Sequence, residues 1–134
     1  MSRPLIARIA FICFGMMLAY GCAVSPAVVT ASAGTTSIQA AVGDEVNVQL
    51  AENPSTGWTW RLQSPLKGIL QAAGDHFVRS TPTGAGLVGT GGTRIFTYTA
   101  IDAGTIELEY ALAGPGREVE PADHRMTFTV HVAN

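Results

Sequence analysis

Apolar and polar side chains alternate with a period of two along most of the chain beyond its N-terminal region. Between Asp44 and Ala51, Val46, Val48 and Leu50 fall on one face while Glu45, Asn47 and Gln49 fall on the other. Trp58 and Trp60 alternate with Thr59 and Arg61, and Phe96 and Tyr98 share a face of a run from Thr93 to Ile101. After a turn at Asp102-Ala103-Gly104 the pattern is clearest, with Ile106, Leu108, Tyr110 and Leu112 on one side and Glu107 and Glu109 on the other. The last run sets Met126, Phe128, Val130 and Val132 against Thr127, Thr129 and His131. A strand turns successive side chains to opposite faces, so each run reads as a half-buried strand. Short strands with one apolar face, separated by Gly and Pro turns, bury those faces by packing two antiparallel sheets together. The fold class expected is all-β, an immunoglobulin-like antiparallel β-sandwich of about seven strands. The cysteine pair of antibody domains is missing, so the expectation concerns architecture and not that family.

The N-terminus follows another rule. Arg3 and Arg8 give a basic start, and Ile9 to Tyr20 then runs without a charge. That run is about half the ~20 residues a helix needs to cross a bilayer, and it suits the core of a signal peptide. It ends in Leu18-Ala19-Tyr20-Gly21-Cys22, which resembles a bacterial lipobox, with Cys22 as the lipidated residue; an ordinary secretory signal cut near Ala23 and an uncleaved membrane anchor are the alternatives. The expected organisation is a lipoprotein signal peptide over 1–21, a flexible tether over 22–36 and one immunoglobulin-like domain over 37–134. The tether is expected because Ala23 to Thr36 is rich in Ala, Ser, Thr, Val and Gly and lacks an apolar period. The expected location is the cell envelope, lipid-anchored, on the outer membrane facing the periplasm; Ala23 after the cysteine is the residue that resembles outer-membrane lipoproteins.

Composition narrows the function classes. The two cysteines are Cys13, inside the apolar run, and Cys22, so a mature chain has no thiol left for a disulfide, a metal or a nucleophile. Without Arg3 and Arg8, six basic residues face ten acidic ones, a net charge of −4. No Lys/Arg cluster remains, so nucleic acid is not an expected partner. His76, His124 and His131 are scattered without ligand spacing, and no metal or cofactor is expected. Gly84-Ala85-Gly86-Leu87-Val88-Gly89 spells G-x-G-x-x-G, but Thr90-Gly91-Gly92 follows it and would break the helix that a dinucleotide site requires. Glu107 and Glu109 read as a solvated strand face. No catalytic residue is expected, nor a small-molecule substrate, and the protein is not expected to be an enzyme.

Three loops stand out. Asn53-Pro54-Ser55-Thr56-Gly57-Trp58 joins two expected strands: Asn-Pro starts a turn, proline fixes φ, and Gly57 supplies a left-handed residue. A stiff tip with small Ser55 and Thr56 can enter a cleft at little entropic cost. Leu87 to Thr93 contains Gly89-Thr90-Gly91-Gly92, whose bare backbone suits pairing with an extended partner. Ala113-Gly114-Pro115-Gly116-Arg117-Glu118 opens a connection to Asp123 that is longer than a hairpin requires. Each string by itself is also an ordinary turn or flexible connection.

The order of the three resembles the chagasin family, proteinaceous inhibitors of papain-like cysteine peptidases, from about Ile38 to the C-terminus. That family pattern is N-P-[TS]-T-G-aromatic, then G-x-G-G, then R-P-W. Asn53-Pro54-Ser55-Thr56-Gly57-Trp58 and Gly89-Thr90-Gly91-Gly92 match the first two, and Ala103-Gly104-Thr105 is also similar. The third departs: Gly114-Pro115-Gly116 keeps the proline and replaces both the arginine and the tryptophan with glycine, with Arg117 displaced by a few positions. The resemblance implies a reversible inhibitor of a papain-like cysteine peptidase that occludes the cleft with three inter-strand loops. Ser55 and Thr56 would sit over the target's catalytic cysteine, Gly89 to Gly92 along the substrate side, and Gly114 to Arg117 on the opposite rim. Losing the arginine and tryptophan is expected to weaken binding. The alternative is a non-inhibitory cell-envelope binding or assembly domain on the same sandwich.

Overall fold

The structure is a computed structural model that describes residues 25–80, 91–120 and 123–134. Eight strands are present among the described residues: β1 (Val28–Ser32), β2 (Ser37–Ala41), β3 (Glu45–Glu52), β4 (Thr59–Leu62), β5 (Leu70–Arg79), β6 (Gly92–Ala100), β7 (Gly104–Ala113) and β8 (Arg125–Ala133). They form two four-stranded sheets, ordered β1-β3-β6-β5 and β2-β8-β7-β4. The expected sandwich is therefore observed, with one strand more than expected. It is not wholly antiparallel, because β1 runs parallel to β3 and β2 parallel to β8.

The alternating residues build the space between the sheets. Val46, Val48 and Leu50 of β3 are buried against Ile106, Leu108 and Tyr110 of β7 and Phe128, Val130 and Val132 of β8 in one apolar cluster. Each fully buried side chain of this size contributes roughly 1.5–3 kcal/mol. Tyr98 on β6 and Tyr110 on β7 meet across the interior with hydroxyl oxygens 2.8 Å apart. Burial pushes both phenols up from their ordinary pKa, so the pair stays neutral and is joined by one hydrogen bond.

The expected tether is corrected in part. Val28–Ser32 lies along β3, with Ala31 fully buried. Its β-branched Val28, Val29 and Thr30 suit a strand despite the weak apolar pattern. Asp44 secures its entry: one carboxylate oxygen accepts the Ala27 N–H at 3.0 Å and the other the Ala41 N–H at 2.8 Å. Those two backbone bonds hold the Asp44 carboxyl below its usual range. Residues 1–24, including Cys13, Cys22 and the expected signal peptide, lie outside the described residues.

Register places the three loops. Glu52 pairs with Gly92, Gly92 with Arg79, and Thr59 with Ala113, so the strand ends that carry the loops share one pole. Val28 pairs with Glu45, Gly104 with Val132 and Ala41 with Ala133, so the chain enters and leaves at the other pole.

Candidate functional site: the three-loop pole

The first loop holds itself together. Pro54–Thr56 forms one 3₁₀ turn between Asn53, in an extended conformation, and Gly57, in the left-handed region at φ 76°. The Asn53 side-chain oxygen accepts the Ser55 N–H at 3.2 Å and the Ser55 hydroxyl at 2.6 Å. The Thr56 hydroxyl donates to the Asn53 carbonyl at 2.7 Å, and the Gly57 N–H to the Pro54 carbonyl at 3.0 Å. Asn, Pro and Gly thus each fill the role their position requires: cap, fixed φ and left-handed exit. Ser55 and Thr56 sit exposed at the tip with their hydroxyls engaged inside the loop.

Beneath this turn lies a feature that the sequence reading missed. Glu52 occupies the inward position that follows Val46, Val48 and Leu50, and its residue is only 5% exposed. Its carboxylate accepts the Trp60 N–H at 3.1 Å and the Thr59 hydroxyl at 3.1 Å, and pairs with the Arg94 guanidinium at 2.9 Å. Arg94 also reaches Asp75 at 2.8 Å. Burial by itself raises the Glu52 pKa, but the Arg94 contact and the backbone donor outweigh it and hold the carboxyl below its ordinary value. One carboxylate therefore ties β3, β4 and β6 together at the foot of the first loop. A charged residue in the fourth inward place of an alternating run was the available signal.

Trp58 is a second correction. Alternation puts it on the same face as Trp60, whereas β4 begins only at Thr59, and the left-handed Gly57 turns the chain before the strand starts. Trp60 is 6% exposed, with its indole N–H on the Ala51 carbonyl at 2.8 Å, while Trp58 is 38% exposed at the pole.

The other two loops close on the first. A Cβ on Gly57 would stand 3.0 Å from Pro115 of the third loop, and one on Gly91 would stand 3.1 Å from the Glu52 carbonyl oxygen. At Gly92 a Cβ would fall 2.2 Å from the Val78 carbonyl oxygen, so no side chain fits there. Gly91 thus meets the start of the first loop as backbone, while Gly92 already belongs to β6 and lies close against β5. Gly89 and Thr90, with the G-x-G-x-x-G string ending at Gly89, lie outside the described residues.

In the third loop Gly114 is buried, Pro115 and Gly116 are exposed, and Arg117 folds back. The Arg117 guanidinium pairs with Glu120 at 2.9 Å and with Asp123, whose other carboxylate oxygen accepts the Glu120 N–H at 2.7 Å. It also lies 5.1 Å from the Trp58 ring centre. The hydrogen bond to Glu120, with the nearby Asp123 charge, raises its pKa further. Two hollows flank this pole. One of about 410 Å³ is bordered by Ala51, Thr56, Trp58 and Leu112, the other of about 390 Å³ by Asn53, Ser80, Gly91 and Gly92.

Elsewhere the scattered polar residues serve the fold. His124 packs edge-on to Trp60 at 5.7 Å, His131 bonds the Thr105 hydroxyl at 3.0 Å, and Glu109 pairs with Arg125. Among the described residues no cluster of His, Cys, Asp and Glu could hold a metal ion.

The profile of the chagasin family, described as "Chagasin family peptidase inhibitor I42", matches residues 39–132, most of the chain. The chain belongs to this family. Chagasin of Trypanosoma cruzi is 31% identical over 111 residues, which cover 78% of this chain and 94% of chagasin. The fold is shared with the cysteine protease inhibitor EhICP2 of Entamoeba histolytica, at a TM-score of 0.67 and 20% identity, over 80% of this chain and 96% of that one. Amebosin, known from a solution structure, gives a TM-score of 0.62 at 22% identity, over 81% of this chain and all of that one. Chagasin-family chains are peptidase inhibitors and not enzymes, and this chain is a peptidase inhibitor of that family.

Proposed function

We propose that this protein reversibly inhibits papain-like cysteine peptidases by plugging their active-site cleft with the three-loop pole. One observation carries the mode of action: the first loop is braced from within and stands between Gly91, where the second loop rejoins the sheet, and Pro115 of the third, so these described parts form one wedge. The cysteine class is supported by the relatives, since EhICP2 is named a cysteine protease inhibitor. Ser55 and Thr56 stand at the tip, over the target's catalytic cysteine, with no scissile bond aligned. Asn53, Pro54 and Gly57 hold the tip's shape, and Gly89 to Gly92 line the substrate side through their backbone. Gly114 to Arg117 face the opposite rim. Inhibition requires no nucleophile, metal or cofactor from this chain.

Location belongs to the same proposal. Leu18-Ala19-Tyr20-Gly21-Cys22 supports export and lipid attachment at Cys22, with the domain held at the cell envelope. The measurement that tests the function is competitive inhibition of papain by the mature protein. Thr56→Arg, which enlarges the tip and gives up one hydroxyl bond to Asn53, is expected to abolish inhibition while the melting temperature falls only slightly. Undiminished peptidase activity at high micromolar wild-type protein would end this reading.

A further inference from the structure

The departure from R-P-W leaves the third loop without an aromatic side chain, yet the pole is not without one. Trp58 is the one aromatic among the large exposed hydrophobic residues of the described chain. Its six-membered ring lies over Gly114, where a Cβ would stand 3.5 Å from Cη2 and Cζ2 and 3.1 Å from the Arg117 Nε. The glycine therefore makes room for an indole from the first loop and a guanidinium from the third to meet. Arg117, 5.1 Å from the Trp58 ring centre, is further fixed by Glu120 and Asp123. A cation over an indole face is attracted to it, and a guanidinium already held in place has less freedom to lose on binding.

Resting on the inhibitor reading above, we propose that Trp58 and Arg117 form one specificity-determining contact, an aromatic–guanidinium pair assembled from two loops that grips the rim of the target's cleft. Tryptophan and arginine are the residue types that most often dominate interface energy. The indole also borders the hollow of about 410 Å³ shared with Ala51, Thr56 and Leu112, immediately beside the tip. That hollow takes an apolar side chain from the cleft wall, seated against Trp58, while Arg117, 5.1 Å from the ring centre, steadies the indole. The pair thus supplies, across two loops, the side-chain chemistry that Gly114 and Gly116 cannot.

The test uses the mature protein and papain. The chain has two tryptophans, so 5-fluorotryptophan labelling gives two ¹⁹F signals. Unlabelled papain is expected to shift the Trp58 signal and leave that of buried Trp60 in place. Trp58→Ala and Arg117→Gln are each expected to raise the inhibition constant by about 10- to 30-fold. The double variant should rise by less than the product of the two, because the residues act as a unit. Trp58→Phe keeps an aromatic face and should recover most of the loss, which separates a lost contact from a misfolded domain. If wild-type protein inhibits papain but both single variants match it, with the Trp58 signal unmoved, the pair is structural and the proposal falls while the inhibitor reading stands. Absence of inhibition by wild-type protein overturns both.

Discussion

The first and third loops sit side by side at one pole and are held by different physics. Asn53 to Trp58 is shaped by its backbone: a fixed proline φ, a left-handed glycine at φ 76° and short bonds between near neighbours, above a buried carboxylate. The third loop is shaped by side chains: Arg117, about one-third exposed, bridges the exposed Glu120 to the buried Asp123 carboxylate. Ion pairs open to water contribute little and weaken with salt, whereas turn geometry and buried charge–backbone contacts are screened much less. The first loop is therefore stiff by its own backbone, while the third is anchored at buried Asp123 and open to adjustment on its Glu120 side. A wedge needs a hard tip, while its flanks can conform to whatever rim they meet.

The contrast is broken most severely at its base. Glu52→Ala leaves Arg94 with Asp75 alone and unpairs the Trp60 N–H, and is expected to cost about 3 kcal/mol, read as a lower denaturant midpoint. The same residue sets an acid limb. Its folded pKa lies below the ordinary value of 4.5, so its stabilisation is complete above that value and is lost as pH falls through the lowered one. Glu52→Gln should flatten the stability profile over that acid range, and an unchanged profile would remove the assignment. Next in size, Gly57→Ala puts a Cβ on a left-handed residue and 3.0 Å from Pro115, for an expected loss of about 2 kcal/mol and a displaced third loop. Asn53→Ala removes the cap of the 3₁₀ turn and should cost about 1 kcal/mol, with faster amide exchange at Ser55. Smallest is the effect of salt. At ~1 M the Debye length shrinks to about 3 Å, and Arg117 should loosen from Glu120. Exchange should then quicken in the third loop and stay constant in the first, and equal responses in both would erase the distinction.

What the sequence shows of this molecule follows how each part is stabilised. Val46, Val48, Leu50, Ile106, Leu108 and Phe128 announce their strands because each strand buries one face and wets the other. The first loop is legible for a similar reason, since its conformation is dictated by residues adjacent in the chain. β5 escaped notice because Leu70–Arg79 is an edge strand with most residues exposed and a bulge at Ala72/Gly74, which erases the alternation. β1 escaped because an edge strand lying parallel to β3 needs little apolar pattern of its own. The Glu52–Arg94 contact spans 42 residues of sequence, and the meeting of Trp58 with Arg117 depends on how two loops close. Such pairings arise from the fold and have no local signature.

The placement of the two ends has a practical corollary. Val28 and Ala133 lie at the pole away from the loops, and β3 alone, at roughly 3.3 Å per residue, interposes about 26 Å. Chain leading into Val28 or out of Ala133, and whatever is attached close to either, emerges behind the wedge and leaves its leading edge clear. The molecule can be tethered from the rear and still engage an enzyme approaching from the front.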